Sequence, residues 1–247
     1  MKNMIVMTLG LLLFSGFASA AGDAYIGEHV QTNIRSTDSL RKGAKTYMNY
    51  CMGCHSMEWQ RYNRVAEDLG LTEDEMMNGL VLTDAKFTDK MTIAMAAEDA
   101  ETWFGKAPPD LTVIAKARGL DWLYNFLINY YVDPSRPTGW NNLTFENASM
   151  PHILWEFQGI RQANFDVHTD AEGNETKTFN SFEQLEPGTM TEQEYKAMVT
   201  DLVNFLDYSS EPAQLIRMSL APWVLLFVVV FTFLAYLLKV NYFRDIH

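Results

Sequence analysis

The residues with the clearest chemical meaning are Cys51-Met52-Gly53-Cys54-His55. Two thiols separated by two residues and followed at once by an imidazole have the spacing of c-type haem attachment, in which each thiol adds to a vinyl group and the histidine ligates iron. Cys51 and Cys54 are the only cysteines among 247 residues, which excludes a zinc site built on two cysteine pairs and a disulfide scaffold. The alternatives are a CxxC redox pair and a chance surface motif. A thioredoxin-like pair belongs near a βαβ pattern, and none precedes this motif.

A helical pattern begins at Ser39 and leads directly into the motif. Its apolar stripe, with spacings of three and four, consists of Leu40, Gly43, Ala44, Tyr47 and Cys51. Glycine lowers helix stability relative to alanine, so Gly43 indicates either a second helix that crosses closely there or an incidental glycine. We expect this helix to deliver the haem motif at its C-terminal end.

The second axial ligand of the iron decides the class of function. Methionine, histidine, water or an open position separate electron transfer from catalysis or gas sensing. With 14 methionines and 5 histidines, residue type alone decides nothing. Met150 differs from the other methionines in its context, because Pro151 stiffens it and a polar loop leads into it. We therefore expect Met150 to be the ligand, with His152 as its main rival.

Two further segments could serve a haem. Pro108 and Pro109 force an extended backbone, whose carbonyls can accept a hydrogen bond from the second ring nitrogen of a ligating histidine. Asp110 is a candidate cap for a helix that starts at Leu111. Arg118 could bind a haem propionate through its guanidinium; the alternatives are a plain loop-to-helix junction and a surface arginine.

The rest of the exported part has a simple expected layout. Helices are predicted at residues 72–80, 111–117 and 121–131, then a loop at 131–149 and an exposed hairpin or loop at 166–175. Thr191 and Glu194 form a capping box that opens an amphipathic helix through Tyr208, and Glu211-Pro212 ends it. This last helix could pack across the helix before the haem motif and close the fold.

The two ends of the chain predict export and anchoring. Residues 1–20 have the layout of a secretory signal peptide, with an uncleaved anchor as the alternative. Residues 218–238 carry no charge, and 21 residues of helix span about 31 Å, enough for a membrane core of roughly 30 Å; a buried core helix is the alternative. Pro222 would lie in the first turns of this helix. We expect an exported domain at 21–212 and an anchor with a short cytoplasmic tail at 213–247.

Charge restricts the partners. The exported part has 16 basic and 30 acidic residues, a net charge of −14. Such a domain does not bind nucleic acid through its overall field, and it attracts a basic partner. Its clustered carboxylates at 73–75 and 98–101 form either a solvated face or a docking patch.

Together these motifs resemble the cytochrome c1 family, particularly its bacterial forms. The matching segments occur in the expected order over nearly the whole chain: Cys51 to His55, Ala107 to Leu111, Ala117-Arg118, Arg136 to Asn142, Met150-Pro151-His152 and the C-terminal membrane helix. The haem motif alone would indicate only a c-type cytochrome, so the later segments make the match specific. One departure is the lack of the additional cysteine pair that some bacterial members carry as a disulfide.

The resemblance implies a mainly α fold of the class I cytochrome c type with insertions, and one covalent haem c. His55 and Met150 would be its axial ligands, Pro108 and Pro109 would supply acceptor carbonyls, and Arg118 would lie at a propionate. The chain would be a redox subunit of the bacterial quinol:cytochrome c reductase and no enzyme by itself. It would sit beside cytochrome b in the inner membrane with its haem domain in the periplasm, pass electrons from the Rieske iron-sulfur protein to a basic c-type cytochrome, and have its C-terminus in the cytoplasm. Rival functions are the anchored cytochrome subunit of a terminal oxidase and a haem peroxidase or gas sensor.

Overall fold

The computed structural model describes residues 27–169 and 175–244, so the predicted signal peptide at 1–20 lies outside the described residues. Its helices are α1 (Thr37–Thr46), α2 (Tyr62–Leu69), α3 (Glu73–Met77), α4 (Ala97–Phe104), α5 (Ile114–Arg118), α6 (Leu120–Ile128), α7 (Trp155–Gln158), α8 (Glu192–Ser210) and α9 (Ala213–Tyr242). Its strands are β1 (Met57–Arg61), β2 (Lys90–Met91), β3 (Tyr130–Val132), β4 (Trp140–Asn142), β5 (Gly159–Thr169) and β6 (Glu175–Pro187). The predicted mainly helical fold with one apolar C-terminal helix is confirmed.

Helices α1 and α8 cross closely at Gly43. A Cβ atom added to Gly43 would lie 2.7 Å from Phe205 Cβ and would collide with the carbonyl oxygen of Asp201. Beside this crossing, the Ser39 hydroxyl donates to the Asp201 carboxylate over 2.5 Å. The expected close crossing is therefore confirmed, and the reading of Gly43 as incidental is wrong.

Helix α8 is the central element of the core. Thr191 and Glu194 form the predicted capping box at its start, and its apolar face supplies Tyr195, Val199, Leu202, Val203 and Phe205, each at most 2% exposed. Burying a large apolar side chain stabilises a fold by roughly 1.5–3 kcal/mol, so this face makes a large contribution. Helix α8 packs against α1, α5, α6 and α7 and thereby joins the elements on both sides of the haem motif.

Three two-stranded antiparallel sheets, β1–β2, β3–β4 and β5–β6, accompany the helices. The loop predicted at 131–149 is wrong in part, because β3 and β4 pair within it in the register Tyr130↔Asn142 to Val132↔Trp140. The exposed hairpin is confirmed as β5–β6, and part of its tip lies outside the described residues. Strands β3 and β4 have three residues each, which is too few to show the alternation that identifies a strand in a sequence.

Two helices differ at one end from the sequence expectation. Helix α3 begins where the sequence predicts, with Thr72 and Glu75 forming a capping box, but it ends at Met77 and not at residue 80. Helix α5 starts at Ile114 and not at Leu111. The reason is Asp110, whose carboxylate accepts from the backbone N–H of Thr112 over 2.8 Å and from that of Glu58 over 2.8 Å. Asp110 thus ties a turn to β1 and caps no helix.

The C-terminal helix α9 is longer than the predicted 218–238. Its apolar stretch, Gln214–Tyr242, has 29 residues, about 44 Å of helix, and every side chain from 216 to 244 is exposed. The expected place of Pro222 in the first turns is wrong, because the helix begins at Ala213 and Pro222 lies in its interior. Proline there removes one backbone donor, a loss that membrane helices tolerate.

Candidate haem site

The haem motif sits on a π-helical turn, Tyr47–Cys51, that continues α1. The backbone N–H of Met52 donates to the Tyr47 carbonyl over 2.9 Å, a bond between residues five apart. The chain then turns back, because the Cys51 carbonyl accepts from the N–H groups of Cys54 and His55 over 3.0 and 2.9 Å. Single π-helical turns occur often at functional sites, and this one brings the two thiols and the imidazole onto one tight turn.

Tyr47 fixes this turn to the core. Its buried hydroxyl donates to the His55 carbonyl over 2.7 Å, and its ring centroid lies 5.7 Å from that of Phe205 on α8. Burial raises the pKa of the Tyr47 phenol well above its usual range, so the hydroxyl remains a donor at every physiological pH. The position of the motif thus depends on the α1–α8 crossing.

His55 is held in one tautomer. Its Nδ1 lies 2.8 Å from the Pro109 carbonyl oxygen, and since a carbonyl only accepts, Nδ1 carries the proton. Burial lowers the pKa of His55, while the bond to Pro109 opposes this shift. The ring is then neutral with an unprotonated Nε2, which is the donor atom that an iron requires. The residues present therefore fit a haem ligated by His55.

The proline segment is pinned beside the motif. The N–H of Leu111 donates to the Ser56 carbonyl over 2.9 Å, which keeps Pro109 next to His55. Pro108 lines a neighbouring cavity of about 250 Å³ together with Ser56 and Asp110. The structure thus brings Cys51, Cys54, His55 and Pro109 together, and Pro108 lies one residue away from the acceptor carbonyl.

Met150 lies on a separate segment that Tyr130 holds. Met150 is half-buried, and its carbonyl accepts from the Tyr130 hydroxyl over 3.1 Å. The Tyr130 ring, 1% exposed, stacks on the ring of His152 at 4.8 Å with an interplanar angle of 3°. The Trp140 ring is nearly perpendicular to that of His152, with the two centroids 5.2 Å apart. Met150 and His152 therefore share one aromatic support.

His152 is a neutral, buried imidazole. Burial lowers its pKa to about 3. Its Nε2 is buried and forms no hydrogen bond of ordinary geometry with the described residues, and Gln158 is the polar side chain beside it. An unprotonated nitrogen is also a competent iron ligand, so His152 remains the rival of Met150.

Arg118 is connected to this aromatic support through α6. The guanidinium carbon of Arg118 lies 5.1 Å from the Trp122 ring centroid, Trp122 stacks on Phe126 at 5.1 Å, and Phe126 meets Tyr130 at 5.3 Å. Trp122 and Phe126, four residues apart, lie on one face of α6, whereas Arg118 ends α5 and Tyr130 begins β3. Arg118 is exposed and pairs with no carboxylate within residues 27–169 and 175–244, so its donors point to no protein anion there.

The sequence of this chain is similar to those of known proteins. The Cytochrome C1 family matches residues 31–246. The chain belongs to the cytochrome c1 family. A cytochrome c1 of Allochromatium vinosum is 41% identical over 250 residues, covering 100% of both chains. The ammonia monooxygenase gamma subunit of Nitrosomonas europaea is 40% identical over 100% of both chains, and a cytochrome c1 of Rhodospirillum rubrum is 25% identical over 98% of this chain and 96% of its own.

Membership in the cytochrome c1 family defines the general function. The chain is a membrane-anchored, haem c-binding electron-transfer subunit of the cytochrome bc1 complex, and α9 is long and apolar enough to be the anchor. The predicted family, function and mainly helical fold are thus confirmed.

Sequence reasoning missed several residues that support the Met150 side of this cytochrome c1-family site. Asn141 accepts from the Asn147 N–H over 2.8 Å through its side chain, and Asn142 donates to the Phe126 carbonyl over 2.7 Å. Both asparagines are buried, and a pair of asparagines in a proline-rich loop reads as turn chemistry. The sequence predicts Tyr130 within the helix at 121–131, whereas Tyr130 begins β3, and Arg161 carries no sequence signal.

Proposed function

We propose that this chain holds one haem c covalently through Cys51 and Cys54, with His55 and Met150 as axial ligands, and relays single electrons within the bc1 complex. The observation that carries the proposal is the bond from His55 Nδ1 to the Pro109 carbonyl at 2.8 Å. It leaves Nε2 unprotonated beside two thiols, a combination that suits a c-type haem.

Bound haem c supplies a carrier that gains and loses one electron without bond chemistry on a substrate. His55 keeps its donor nitrogen unprotonated through Pro109, and Met150 offers a soft thioether that favours ferrous over ferric iron. Arg118 supplies guanidinium donors for a propionate, and the carbonyls of Pro108 and Pro109 lie on the His55 side. The chain itself is no enzyme, and the activity belongs to the quinol:cytochrome c reductase complex.

The topology that we propose follows from the ends of the chain. Residues 1–20 are a signal peptide, 21–212 form the exported haem domain, and 213–247 contain the anchor and a cytoplasmic tail. In a bacterial inner membrane this arrangement places the haem domain in the periplasm, beside cytochrome b and within reach of the Rieske iron-sulfur protein. Protease added to spheroplasts should degrade the haem domain, whereas a tag after residue 247 should be protected.

The electron acceptor that we propose is a basic c-type cytochrome. The exported part has a net charge of −14, and such a field accelerates the approach of a basic partner. Because the screening length is about 8 Å at physiological salt, the bimolecular electron-transfer rate should fall as ionic strength rises. A flat salt profile would argue for an anchored, acidic or permanently bound acceptor.

The experiment that tests the function is a reduced-minus-oxidised spectrum of the complex purified through a tag on this chain. The proposal expects b-type haems and an iron-sulfur protein together with one c-type haem. Copurification with haem-copper subunits would support a terminal oxidase, and copurification with a monooxygenase would support the function that the Nitrosomonas relative is named for. A peroxidase or gas sensor requires an open iron position, so CO binding by the reduced protein would support that class.

A further inference from the structure

Arg161, the third residue of β5, inserts its guanidinium at the C-terminal end of α6. Its Nε donates to the Tyr130 carbonyl over 2.8 Å, and its Nη2 donates to the Ile128 carbonyl. The Phe182 ring of β6 covers it, with the guanidinium carbon 3.6 Å from the ring centroid. Arginine beside the last carbonyls of a helix is favoured by their unpaired acceptors and by the helix dipole.

The charge of Arg161 is half-buried and has no carboxylate partner of its own. Within residues 27–169 and 175–244 Arg161 forms no ion pair, and Glu192, the acidic residue that acts on it electrostatically, is paired with Lys196 at 2.8 Å. Burial lowers the pKa of Arg161 to about 10, which still leaves the group protonated at neutral pH. Removing a cation from water costs free energy when its hydrogen-bond partners are neutral, so the two carbonyls and the Phe182 ring form a specific site for this guanidinium.

The carbonyl that Arg161 binds belongs to the residue that holds Met150. Arg161 fixes the backbone of Tyr130, and the Tyr130 hydroxyl donates to the Met150 carbonyl over 3.1 Å. The His152 ring stacks on the same Tyr130. Arg161 is therefore linked to Met150 through one residue, Tyr130, and its positive charge lies at the backbone of that residue.

We infer that Arg161 is a positioning residue for Met150, acting through Tyr130, and that its half-buried positive charge favours the reduced state of the haem. The inference rests on the proposed function, because it requires Met150 as the iron ligand. A fixed positive charge in a low-dielectric site opposes the extra positive charge of ferric iron, and a fixed Tyr130 keeps the thioether in place. Both effects raise the reduction potential.

The test is a redox titration of the full-length holoprotein in its complex, combined with the near-infrared methionine-to-iron band. Arg161→Gln should shift the reduction equilibrium about tenfold towards ferric haem, equal to 59 mV for a one-electron couple, and weaken the band. Arg161→Lys keeps the charge and should restore most of the potential. Tyr130→Phe keeps the charge but removes the hydroxyl, so it should weaken the band with a smaller loss of potential.

The matched control is Arg41→Gln. Arg41 lies on α1 and donates to the Leu69 carbonyl over 2.8 Å and to the Gly70 carbonyl over 2.6 Å. It therefore also binds the end of a helix, α2, but its side chain is exposed. The Arg41→Gln variant should leave both the potential and the band unchanged. Equal shifts in Arg41→Gln and Arg161→Gln, or a wild-type potential and band in Arg161→Gln, would overturn the inference.

The proposed function fails in a different way. A wild-type holoprotein without the methionine-to-iron band would overturn the ligand assignment and, with it, the inference. If Arg161→Gln does not accumulate, Arg161→Lys and Tyr130→Phe decide: an unchanged band in Tyr130→Phe contradicts positioning through the hydroxyl, and a tenfold loss in Arg161→Lys contradicts the role of charge.

Discussion

The His55 side and the Met150 side of the site are built in different ways. On the His55 side five consecutive residues lie on one turn, and one carbonyl, that of Pro109, orients the imidazole. On the Met150 side the support comes from β3, from the segment after β4 and from the long hairpin, which contribute Tyr130, His152 and Arg161. The His55 side is thus a local motif, whereas the Met150 side is assembled from distant segments. Damage to the first should abolish haem attachment, whereas damage to the second should change ligation and leave the haem in place.

The largest effect is expected from the thiols. Cys51→Ala or Cys54→Ala should each lose one thioether bond and remove most of the covalently bound haem, measured by haem staining on a denaturing gel. The matched control is Gly53→Ala, because an added Cβ meets no atom within 4 Å there and the motif requires only the thiols and the histidine. Normal staining in either cysteine variant would contradict covalent attachment.

The next largest effect should come from Met150. Met150→Leu removes the thioether, so the reduction potential should fall, the near-infrared methionine-to-iron band should vanish and the reduced protein should bind CO, with the covalent haem retained. His152→Leu should change these quantities much less. If the band survives in Met150→Leu, Met150 is not the ligand. If the wild-type protein lacks the band and only His152→Leu gains CO binding, His152 is the ligand.

A smaller effect is expected from Asn142, a buried residue of the Met150 side. Its side chain donates to the Phe126 carbonyl over 2.7 Å and accepts from the Thr144 N–H over 2.8 Å. Asn142→Ala leaves buried groups without these partners, so the free energy of unfolding, measured by thermal denaturation, should fall by about 1–3 kcal/mol. Asn49→Ala is the control on the other side, since Asn49 is exposed and donates only to the Lys45 carbonyl. Equal losses of unfolding free energy in Asn142→Ala and Asn49→Ala would contradict the difference that we expect between the Met150 side and the His55 side.

The smallest effect concerns the start of α8. Hydrogen bonds from the N–H and hydroxyl of Thr191 hold the pKa of Glu194 below its ordinary value. A carboxyl group whose pKa is lowered by folding stabilises the protein above its unfolded-state pKa, and this stabilisation disappears as the pH falls through the folded-state pKa.

Thr191→Ala removes the N-cap of α8, so the free energy of unfolding should fall by about 0.5–2 kcal/mol near neutral pH. Because Glu194 also loses its partner, the free energy of unfolding should decline less steeply as the pH falls. Thr72→Ala removes the same cap from the five-residue helix α3 and should change global unfolding less, because few contacts depend on α3. A larger loss of unfolding free energy in Thr72→Ala than in Thr191→Ala would mean that α3, and not α8, limits stability.

The difference between the two sides also explains what could be predicted from the sequence. The spacing of Cys51, Cys54 and His55 is local, and the periodicity of α8 and the length of the apolar C-terminal run are local as well. The β3–β4 pair joins residues up to 12 positions apart, Tyr130 with Asn142, and the role of Arg161 depends on a contact with Tyr130 across 31 positions. No pattern in one segment carries such information. Gly43 is an intermediate case, because the sequence indicated a close approach without naming Asp201 as the neighbour.

The connection between the haem domain and its anchor has a mechanical consequence. Only Glu211 and Pro212 separate α8 from α9, and Glu211 pairs with Lys116 at 3.6 Å and with Arg217 at 2.9 Å. A joint of two residues, one of them proline, leaves little room for pivoting. The haem domain is then held in one orientation relative to its anchor helix, so the electron relay that we propose requires the donor and acceptor proteins to move towards the haem.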